Sequence, residues 1–388
     1  MTHLTTPKMG REASRATVIR QEYAARFPAI LQRFITSFTG KAAVGELPGP
    51  VLSARTYSLL GIAQWPAIIL VGCSLLIAQP VWGWLALPCI WLVAVNGLRK
   101  AHAVISHHAV HREITRSWRG DYWIQVIASA ESFAHSWEDY FEAHVKGHHS
   151  RKMFTTAADP DAALLLILGF RPGMPVRQLW RLLVTLTFSP RLHWLFIKVR
   201  WNTNFVTAPW HRRFVSAAFL LAAMFVAWAV PPAVFVAVVL VPLFPLYNAS
   251  ALWQFTSEHA WLVTEEAAAS PDDYADRCWA RFCLQELPAE ELRGWGRLSQ
   301  WSAWWSKMIL VHLPVRYGVL AGDLPVHDFH HLVPAEHDWT RVFWSRQESI
   351  ESGDRYRMAQ REFCSLGEAL TKVFEGLSRR GTCDEPGE

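Results

Sequence analysis

The chain has 388 residues, of which 51% are hydrophobic, and it contains 21 tryptophans at a mean hydropathy of +0.10. This composition argues against a pair of average soluble domains, because the apolar residues are gathered into long uncharged runs that suit a bilayer. The net charge of +5 does not indicate nucleic-acid binding, because the basic residues follow the ends of those runs instead of forming one stripe.

The first predicted unit is an N-terminal arm, residues 1–56, in which acidic and basic positions are mixed. The arm does not resemble a cleavable signal peptide, so we expect it to stay attached and to lie in the cytoplasm. Residues 20–38 are its strongest helical candidate.

Four apolar runs follow, and each is long enough to cross a membrane as a helix. Short uncharged turns join them in pairs, at Gln79 and Pro80 and again at Pro231 and Pro232, which predicts two hairpins. Basic residues crowd every other end, so the positive-inside rule places both termini and the segment between the hairpins in the cytoplasm. The predicted spans are about residues 57–78, 81–98, 214–230 and 233–252.

The segments outside the spans are expected to lie on the cytoplasmic face of the bilayer. Span two should continue as a helix past Leu98, because no glycine or proline interrupts it there, and residues 121–149 also have a helical pattern. Residues 162–170 and 176–188 are apolar but too short to span, so they are expected at the interface. Tryptophans among basic residues at 292–317 suit the headgroup zone.

Three short histidine clusters carry the chemistry of the sequence. In the first, His107 and His111 are one helical turn apart and share a face. His108 is turned from them by about 100°, and His102 reaches the same side only if the helix bends. The second and third clusters are His144, His148 and His149, and His327, His330 and His331.

These clusters predict a site for two metal ions. Neutral imidazole is a ligand of iron, copper, zinc and nickel, and the clusters hold more histidines than the roughly four to six ligands that one ion accepts. An all-histidine pair of ions beside a membrane indicates iron and dioxygen chemistry. His259, directly after the fourth run, is placed to complete the site. We interpret the other histidines as interfacial or hydrogen-bonded side chains: His135, His193, His211 and His312.

The clusters resemble the three histidine boxes of the membrane fatty acid desaturase and hydroxylase superfamily. The first box of that family, two histidines separated by three or four residues, is similar to His107 and His111, with His102 and His107 as an alternative pairing. The second and third boxes match the other two clusters, and the order of spans and boxes agrees over about residues 55–340. His108 departs from the pattern, because an acidic or small polar residue is usual there.

The resemblance implies an all-α membrane protein with a cytoplasmic helical cap that holds the di-metal site. Two non-haem irons would use dioxygen and two electrons to remove hydrogen from an unactivated C–H bond. No electron-carrier domain is recognised at either end, so a separate donor of the ferredoxin or cytochrome b5 type is expected. The implied ligands are His107, His111, His144, His148, His149, His259, His327, His330 and His331, with His102 as a possible addition and Asn248 as a weaker alternative to His259.

Carboxylates are expected to hold the outer ring nitrogens of such ligands, because imidazole ligands carry no negative charge of their own. Asp161, soon after the second cluster, is the foremost candidate. Others are near a cluster in sequence: Asp139, Glu142, Asp159, Glu258, Asp328 and Asp338.

The predicted domain organisation is the arm, a desaturase-like membrane domain over residues 57–340, and a cytoplasmic tail over 341–388. The tail is mostly polar after Asp354, and its last residues are expected to be disordered. The protein is predicted to be a multi-pass membrane protein whose active site faces the cytoplasm.

The favoured function is a desaturase that introduces a double bond into an acyl chain, carried as a lipid or a thioester. A hydroxylase or ketolase of a lipid-like or specialised-metabolite substrate is the alternative, because both reactions share the first hydrogen abstraction. A metal-binding membrane protein without oxygenase activity is a remote third reading, since transporters usually place their ionisable ligands inside the spans.

Overall fold

The computed structural model describes residues 13–380, and this part of the chain is predominantly helical. Within that range, the sheet consists of two short parallel strands, β1 (Ala280–Arg281) and β2 (Glu362–Phe363). An isolated bridge also joins His259 to Cys278. The predicted helical fold class is confirmed.

The part of the N-terminal arm that the structure describes, residues 13–56, contains two α-helices, α1 (Arg15–Arg26) and α2 (Gln32–Thr39), joined by a 3₁₀ turn at Ala29–Leu31. Residues 20–38, predicted to be the strongest helical candidate, are therefore divided between two helices. The break lies at Phe27, whose backbone is extended because Pro28 follows it and disfavours the helical conformation.

The first two predicted spans correspond to one long helix and one composite helix. The first is α3 (Ala54–Ala78). The second runs from Pro80 to Val110 and contains α4 (Pro80–Arg99), a π-helical turn (Lys100–Ser106) and α5 (His107–Val110). The helical continuation past Leu98 is confirmed. The two stretches pack closely at their turn, where a Cβ on Gly83 would lie 2.7 Å from the Cα of Leu76.

The middle segment is a series of shorter helices. The helix expected over residues 121–149 is interrupted, because the chain turns at residues 132–136 and Phe133 takes a positive φ of 52°. The helices are α6 (Trp118–Glu131), α7 (Trp137–Tyr140) with the π turn Phe141–His148, α8 (Pro160–Leu168), α9 (Val176–Thr187) and α10 (Pro190–Trp201) with the π turn Asn202–Val206.

The last two predicted spans are also present as apolar helical stretches. They are α11 (Trp210–Ala229) and the stretch Pro232–Thr256, which contains α12 (Pro232–Phe235), π turns at Val236–Leu240 and Pro242–Leu246, and α13 (Tyr247–Thr256). The indole nitrogen of Trp91 donates to the carbonyl of Ala237 at 2.7 Å and ties the second stretch to the fourth. Four helical stretches are thus long and apolar enough to cross a membrane, and a fifth would be formed if Gly294–Val319 and Leu324–Leu332, bent by 85°, counted as one span.

The C-terminal third completes the core around the histidines. Its elements are α14 (Pro271–Asp276), α15 (Gly294–Lys307) with the π turns Met308–His312 and Val315–Val319, the 3₁₀ turns Leu324–Val326, Trp339–Arg341 and Met358–Gln360, α16 (His327–Leu332), α17 (Val342–Glu351) and α18 (Leu366–Arg380).

Helix α18 lies in the segment that the sequence analysis described only as a polar tail. Its apolar residues recur every three or four positions, and Leu366, Leu370, Val373 and Leu377 are buried. They join a core cluster that also includes Leu179 of α9. The end of the tail that was expected to be disordered, residues 381–388, lies outside the described residues.

Candidate metal centre

The second histidine cluster lies at the end of a π-helical turn, Phe141–His148. The amide of His149 donates to the carbonyl of His144 at 3.0 Å, which is the five-residue hydrogen bond of a π-helix. A π-helix has about four and a half residues per turn, so side chains four and five positions apart both point in nearly the same direction. His148 and His149 can therefore both lie on the side of His144.

The third cluster lies on α16, and Arg346 holds that helix through an ion pair with Asp328. The guanidinium of Arg346 donates to Oδ2 of Asp328 at 2.8 and 3.1 Å and to Oδ1 at 3.2 Å. Asp328 is 1% exposed, so this ion pair is shielded from water. These contacts fix the orientation of α16, which carries three histidines on its first turns.

The structure brings eight histidines together in two groups of four, and within each group the ligating nitrogens lie within 4.8 Å of one another. Each group combines residues from three separate parts of the chain. The first group is His107, His111, His144 and His330, and the second is His148, His259, His327 and His331.

The donor atoms of both groups fit a bound cation. His107 Nε2 and both ring nitrogens of His259 are buried and have no hydrogen-bond partner within residues 13–380. The Nε2 atoms of His111 and His330 are 3.3 Å apart, and those of His327 and His331 are 3.1 Å apart. Imidazoles that bind one ion at about 2.1 Å place neighbouring nitrogens roughly 3.0–3.4 Å apart. The spacing and the unsatisfied nitrogens therefore suit a metal in each group.

His149 lies at the boundary between the two groups. Its Nε2 is 3.1 Å from Nε2 of His144, and its ring stacks on His331 with centroids 4.3 Å apart. It contacts members of both groups, although it belongs to neither four-residue set.

Two further histidines of the first cluster are engaged elsewhere. His108 contacts carboxylates through both ring nitrogens, Glu113 at 2.6 Å and Asp323 at 2.9 Å, and it belongs to neither group of four. With Glu113 and His330 it forms a smaller set of side chains that could hold a cation. His102, the possible additional ligand, contacts the Tyr247 hydroxyl through Nδ1 at 2.5 Å and lies outside both groups.

Burial sets the protonation of the histidines outside the apolar stretches. It lowers the pKa of His111 to about 3 and that of His149 well below its ordinary value, so both rings are neutral, the form that binds metals. Burial also acts to lower the pKa of His148, but the carboxylate of Asp159 outweighs it and raises the pKa to about 9. A carboxylate that stabilises a proton on His148 would equally stabilise a metal cation beside it.

The carboxylate nearest to the histidines is not the one that the sequence favoured. Asp159 contacts His148 Nδ1 at 3.0 Å, whereas the favoured Asp161 is 3.5 Å from the same atom and its side chain is 39% exposed. Glu258 approaches His327 at 3.5 Å. The hydroxyl of Tyr274, which no sequence motif marks, contacts His331 Nδ1 at 2.8 Å.

The remaining carboxylate candidates do not contact the histidine groups. Glu142 forms an exposed ion pair with Lys146, and Asp338 accepts from Thr340 at the surface. Asp328 acts through Arg346, as described above. Asp139 makes its contact at the start of α7, where its amide donates to Ser136.

Two neighbouring cavities, of about 160 and 390 Å³, share wall residues and border the first histidine group. Both are lined by His102, His135 and Tyr140, and the smaller one also reaches His107 and His327. His135, for which the sequence predicts an interfacial or hydrogen-bonded side chain, lies on the cavity wall. The apolar part of the walls includes Leu164, Ile167, Leu195, Phe196, Val199 and Leu252.

The other three histidines that we interpreted as isolated have local partners or lie apart from the centre. His193 contacts the carbonyl of Thr187 and the side chain of Asn248, His211 contacts Tyr122, and His312 is buried. Asn248 also accepts from Arg200 and does not join either histidine group.

Comparison with known proteins identifies one family. The sequence model described as fatty acid desaturase matches residues 82–346, which is more than half of the chain. Neither the curated proteins nor the solved structures returned a match.

Proposed function

Because the chain belongs to the fatty acid desaturase family, we propose that it is a membrane-bound di-iron desaturase that introduces a double bond into an acyl chain or lipid. The family makes it an oxidoreductase of lipid-type substrates, and the proposal adds the metal, its number and the reaction. The two groups of four histidines carry the proposal, because each offers buried imidazole nitrogens at the spacing of ligands around one ion.

Iron suits these donors, since imidazole without thiolate binds first-row metals such as Fe²⁺ and leaves positions open for dioxygen. With iron bound, the centre would use dioxygen and two electrons from a separate donor of the ferredoxin or cytochrome b5 type to take hydrogen from a C–H bond. The residues that would hold the irons are the two groups defined above, and His149 contacts both groups.

The protein's own side chains orient the ligands and form the apolar walls of the site. Asp159 and Tyr274 hold the outer nitrogens of His148 and His331 and so orient those rings. The apolar cavity walls at Leu164 and Phe196 would hold a hydrocarbon chain and exclude water from the centre.

We further propose that the four apolar stretches form two membrane hairpins, with the histidine groups in a cap on the cytoplasmic side. The uncharged turns at residues 79–80 and 231–232 and the basic residues at the other ends support this orientation. An acyl-lipid or acyl-thioester in the cytoplasmic leaflet of the bilayer would then lie next to the cavities.

The first experiment is the iron content of the detergent-purified full-length chain, followed by turnover with acyl substrates and a reductase system. We expect two irons per chain and a product that has lost two hydrogens in an oxygen-dependent reaction. A product that gains one oxygen atom would instead favour the hydroxylase alternative. No iron, or zinc alone, in protein produced with ample iron would contradict the proposal.

Alanine variants test the ligands individually. His148→Ala and His331→Ala should lose iron and activity while the protein still inserts, because insertion depends on the apolar stretches. His193→Ala, whose ring contacts Thr187 and Asn248 away from both groups, is the control and should keep its iron. Full activity in His148→Ala would refute the assignment.

A further inference from the structure

A buried arginine that makes no direct contact with a carboxylate lies at the wall of the smaller cavity. Arg99, at the end of α4, is 2% exposed. Among the described residues it forms no direct ion pair, although Glu258 on the same wall interacts with its charge. Its Nη2 donates to the amide oxygen of Gln254 at 2.6 Å, and its Nε is buried without a partner. A buried guanidinium is costly unless an anion compensates its charge, and ionisable residues in membrane helices commonly mark functional sites.

Two further polar groups on the same cavity wall have no partner within the described part of the chain. They are Nε2 of His102, whose other nitrogen is taken by Tyr247, and the hydroxyl of Tyr140. The rings of His102 and Tyr140 are near neighbours, with centroids 5.7 Å apart. Together with Arg99 they form a set of unused hydrogen-bonding groups around one small volume.

The other charged groups at these cavities are already engaged. Glu258 accepts from Gln254 at 2.7 Å and pairs with Arg281. Arg200 donates to the carbonyl of Leu243 and to Asn248, and Asp161 lies 3.5 Å from His148. Arg99 is therefore the cation that a ligand entering the cavity would meet with free donors.

We propose that Arg99 binds the carboxylate of the substrate inside the smaller cavity, assisted by Tyr140 and His102, so that the substrate is a free carboxylic acid with an apolar body. This inference rests on the proposed function and replaces the lipid-linked or thioester-linked acyl chain in it with a free acid. The ester or thioester group of a lipid or carrier-bound chain is uncharged and would leave Arg99 without a counter-charge, whereas a carboxylate accepts two hydrogen bonds from one guanidinium.

The same geometry indicates where the acid reacts. His107, His144 and His327, which belong to the two histidine groups, line the cavity that Arg99 borders, and its volume is only about 160 Å³. Only a few carbon atoms fit between the anchored carboxylate and the histidines. The apolar body would continue into the larger cavity along Leu195 and Val199. The reacting carbons are thus expected near the carboxyl end of the chain.

The test is a binding measurement on the iron-loaded full-length protein in detergent, using tryptophan fluorescence and three probes of one chain length: octanoate, methyl octanoate and 1-octanol. The wild-type protein should bind octanoate at least tenfold more tightly than the ester. Arg99→Gln should remove that preference and leave octanol binding within about twofold. Arg119→Gln, an exposed arginine beyond the same apolar stretch, is the matched control and should bind all three probes as wild type does.

Equal affinities for octanoate and its ester in the wild-type protein, or an octanoate preference that survives in Arg99→Gln, would overturn the inference. Thermal unfolding of Arg99→Gln shows whether it folds. If it does not fold, Tyr140→Phe decides, because it removes one hydrogen-bond donor and should weaken octanoate binding severalfold without affecting octanol. An unchanged preference in Tyr140→Phe then overturns the inference. Iron content and oxygen-dependent turnover test the proposed function independently of these results.

Discussion

At position 108, the imidazole is held between two buried carboxylates, Glu113 and Asp323. The neighbouring His107 instead has a buried Nε2 without a partner and lies in the first histidine group. Two adjacent histidines in one cluster therefore have different surroundings: His108 lies between two carboxylates, and His107 has a buried nitrogen without a partner among the described residues.

This difference can be tested with one substitution at both positions. His108→Gln should lower the free energy of unfolding by about 1–3 kcal/mol, because it breaks charge-assisted hydrogen bonds and leaves a buried carboxylate poorly satisfied. It should keep the wild-type iron content, whereas His107→Gln should lose iron. Thermal unfolding and iron per chain are the measurements, and loss of iron in His108→Gln would show that His108 is a ligand.

The carboxylates of Asp159 and Asp161 lead to a second prediction about individual residues. Asp159 contacts His148 at 3.0 Å from a fully buried position, and Asp161 is farther away and partly exposed. Asp159→Asn should weaken iron binding by about 10–100-fold, since the charge that supports the ligand is lost. Asp161→Asn should have a smaller effect. Competition with a chelator measures the iron affinity of both variants. A larger effect of Asp161→Asn would support Asp161, the carboxylate that the sequence favoured.

Among the elements, the arm and the third cluster are linked through one buried carboxylate. Glu362 on β2 accepts from Lys41 at 2.8 Å and from Arg346 at 2.6 Å, and Arg346 in turn holds Asp328 on α16. Burial acts to raise the pKa of Glu362, but the two cations outweigh it and hold the pKa below its ordinary value. The network thus couples the N-terminal arm to the helix that presents three histidines.

The lowered pKa means that Glu362 stabilises the fold above the pKa of an unfolded glutamate, and that this contribution is lost as the pH falls through the folded pKa. Glu362→Gln should therefore lower the free energy of unfolding by about 3 kcal/mol near neutral pH, because buried Lys41 loses its carboxylate partner and Arg346 loses one of two. The difference from wild type should shrink in acid. Glu348→Gln, at an exposed position on α17, is the control for denaturation at several pH values. A constant difference at all pH values would contradict this role.

Over the whole molecule, the histidine groups join segments that are far apart in the chain. Each group takes residues from three regions, so a metal ion bound there would connect helices that are far apart in the chain. Binding to the folded state alone stabilises it by mass action.

Removal of iron with a chelator should therefore lower the Tm by several degrees, and iron added back should restore it. The His148→Ala variant, which lacks a member of the second group, should respond less. A Tm that is independent of iron would indicate that the histidines do not hold a structural or catalytic ion. Scanning calorimetry of the detergent-purified protein is suitable for this test.

The proposed membrane orientation is tested by labelling single introduced cysteines with an impermeant maleimide. Gln79→Cys at the first hairpin turn should react in right-side-out vesicles, and Ser352→Cys after α17 should react only in inverted vesicles. Both positions are exposed. The unmodified chain gives the background from its own cysteines, and labelling of both variants from the same side would contradict the two-hairpin orientation.

Local patterns in the sequence were sufficient for the helical fold class, for four apolar stretches and for the family. The length of an uncharged run and the spacing of histidines along a helix depend on neighbouring residues only, so they are visible without the fold. The break at Phe27 was missed although Pro28 signals it. Helix α18 was missed because the tail was assessed by overall polarity and not by its three-to-four-residue apolar period.

Which histidines share a group was decided by the tertiary structure. The π turn at Phe141–His148 rotates His148 and His149 in a way that spacing alone does not specify, and long-range contacts separate His108 from its neighbours. The preference for Asp159 over Asp161 and the free donors of Arg99 likewise depend on contacts between distant segments. Sequence patterns report periodicity along one element, whereas the direction and partners of a side chain depend on how the elements pack.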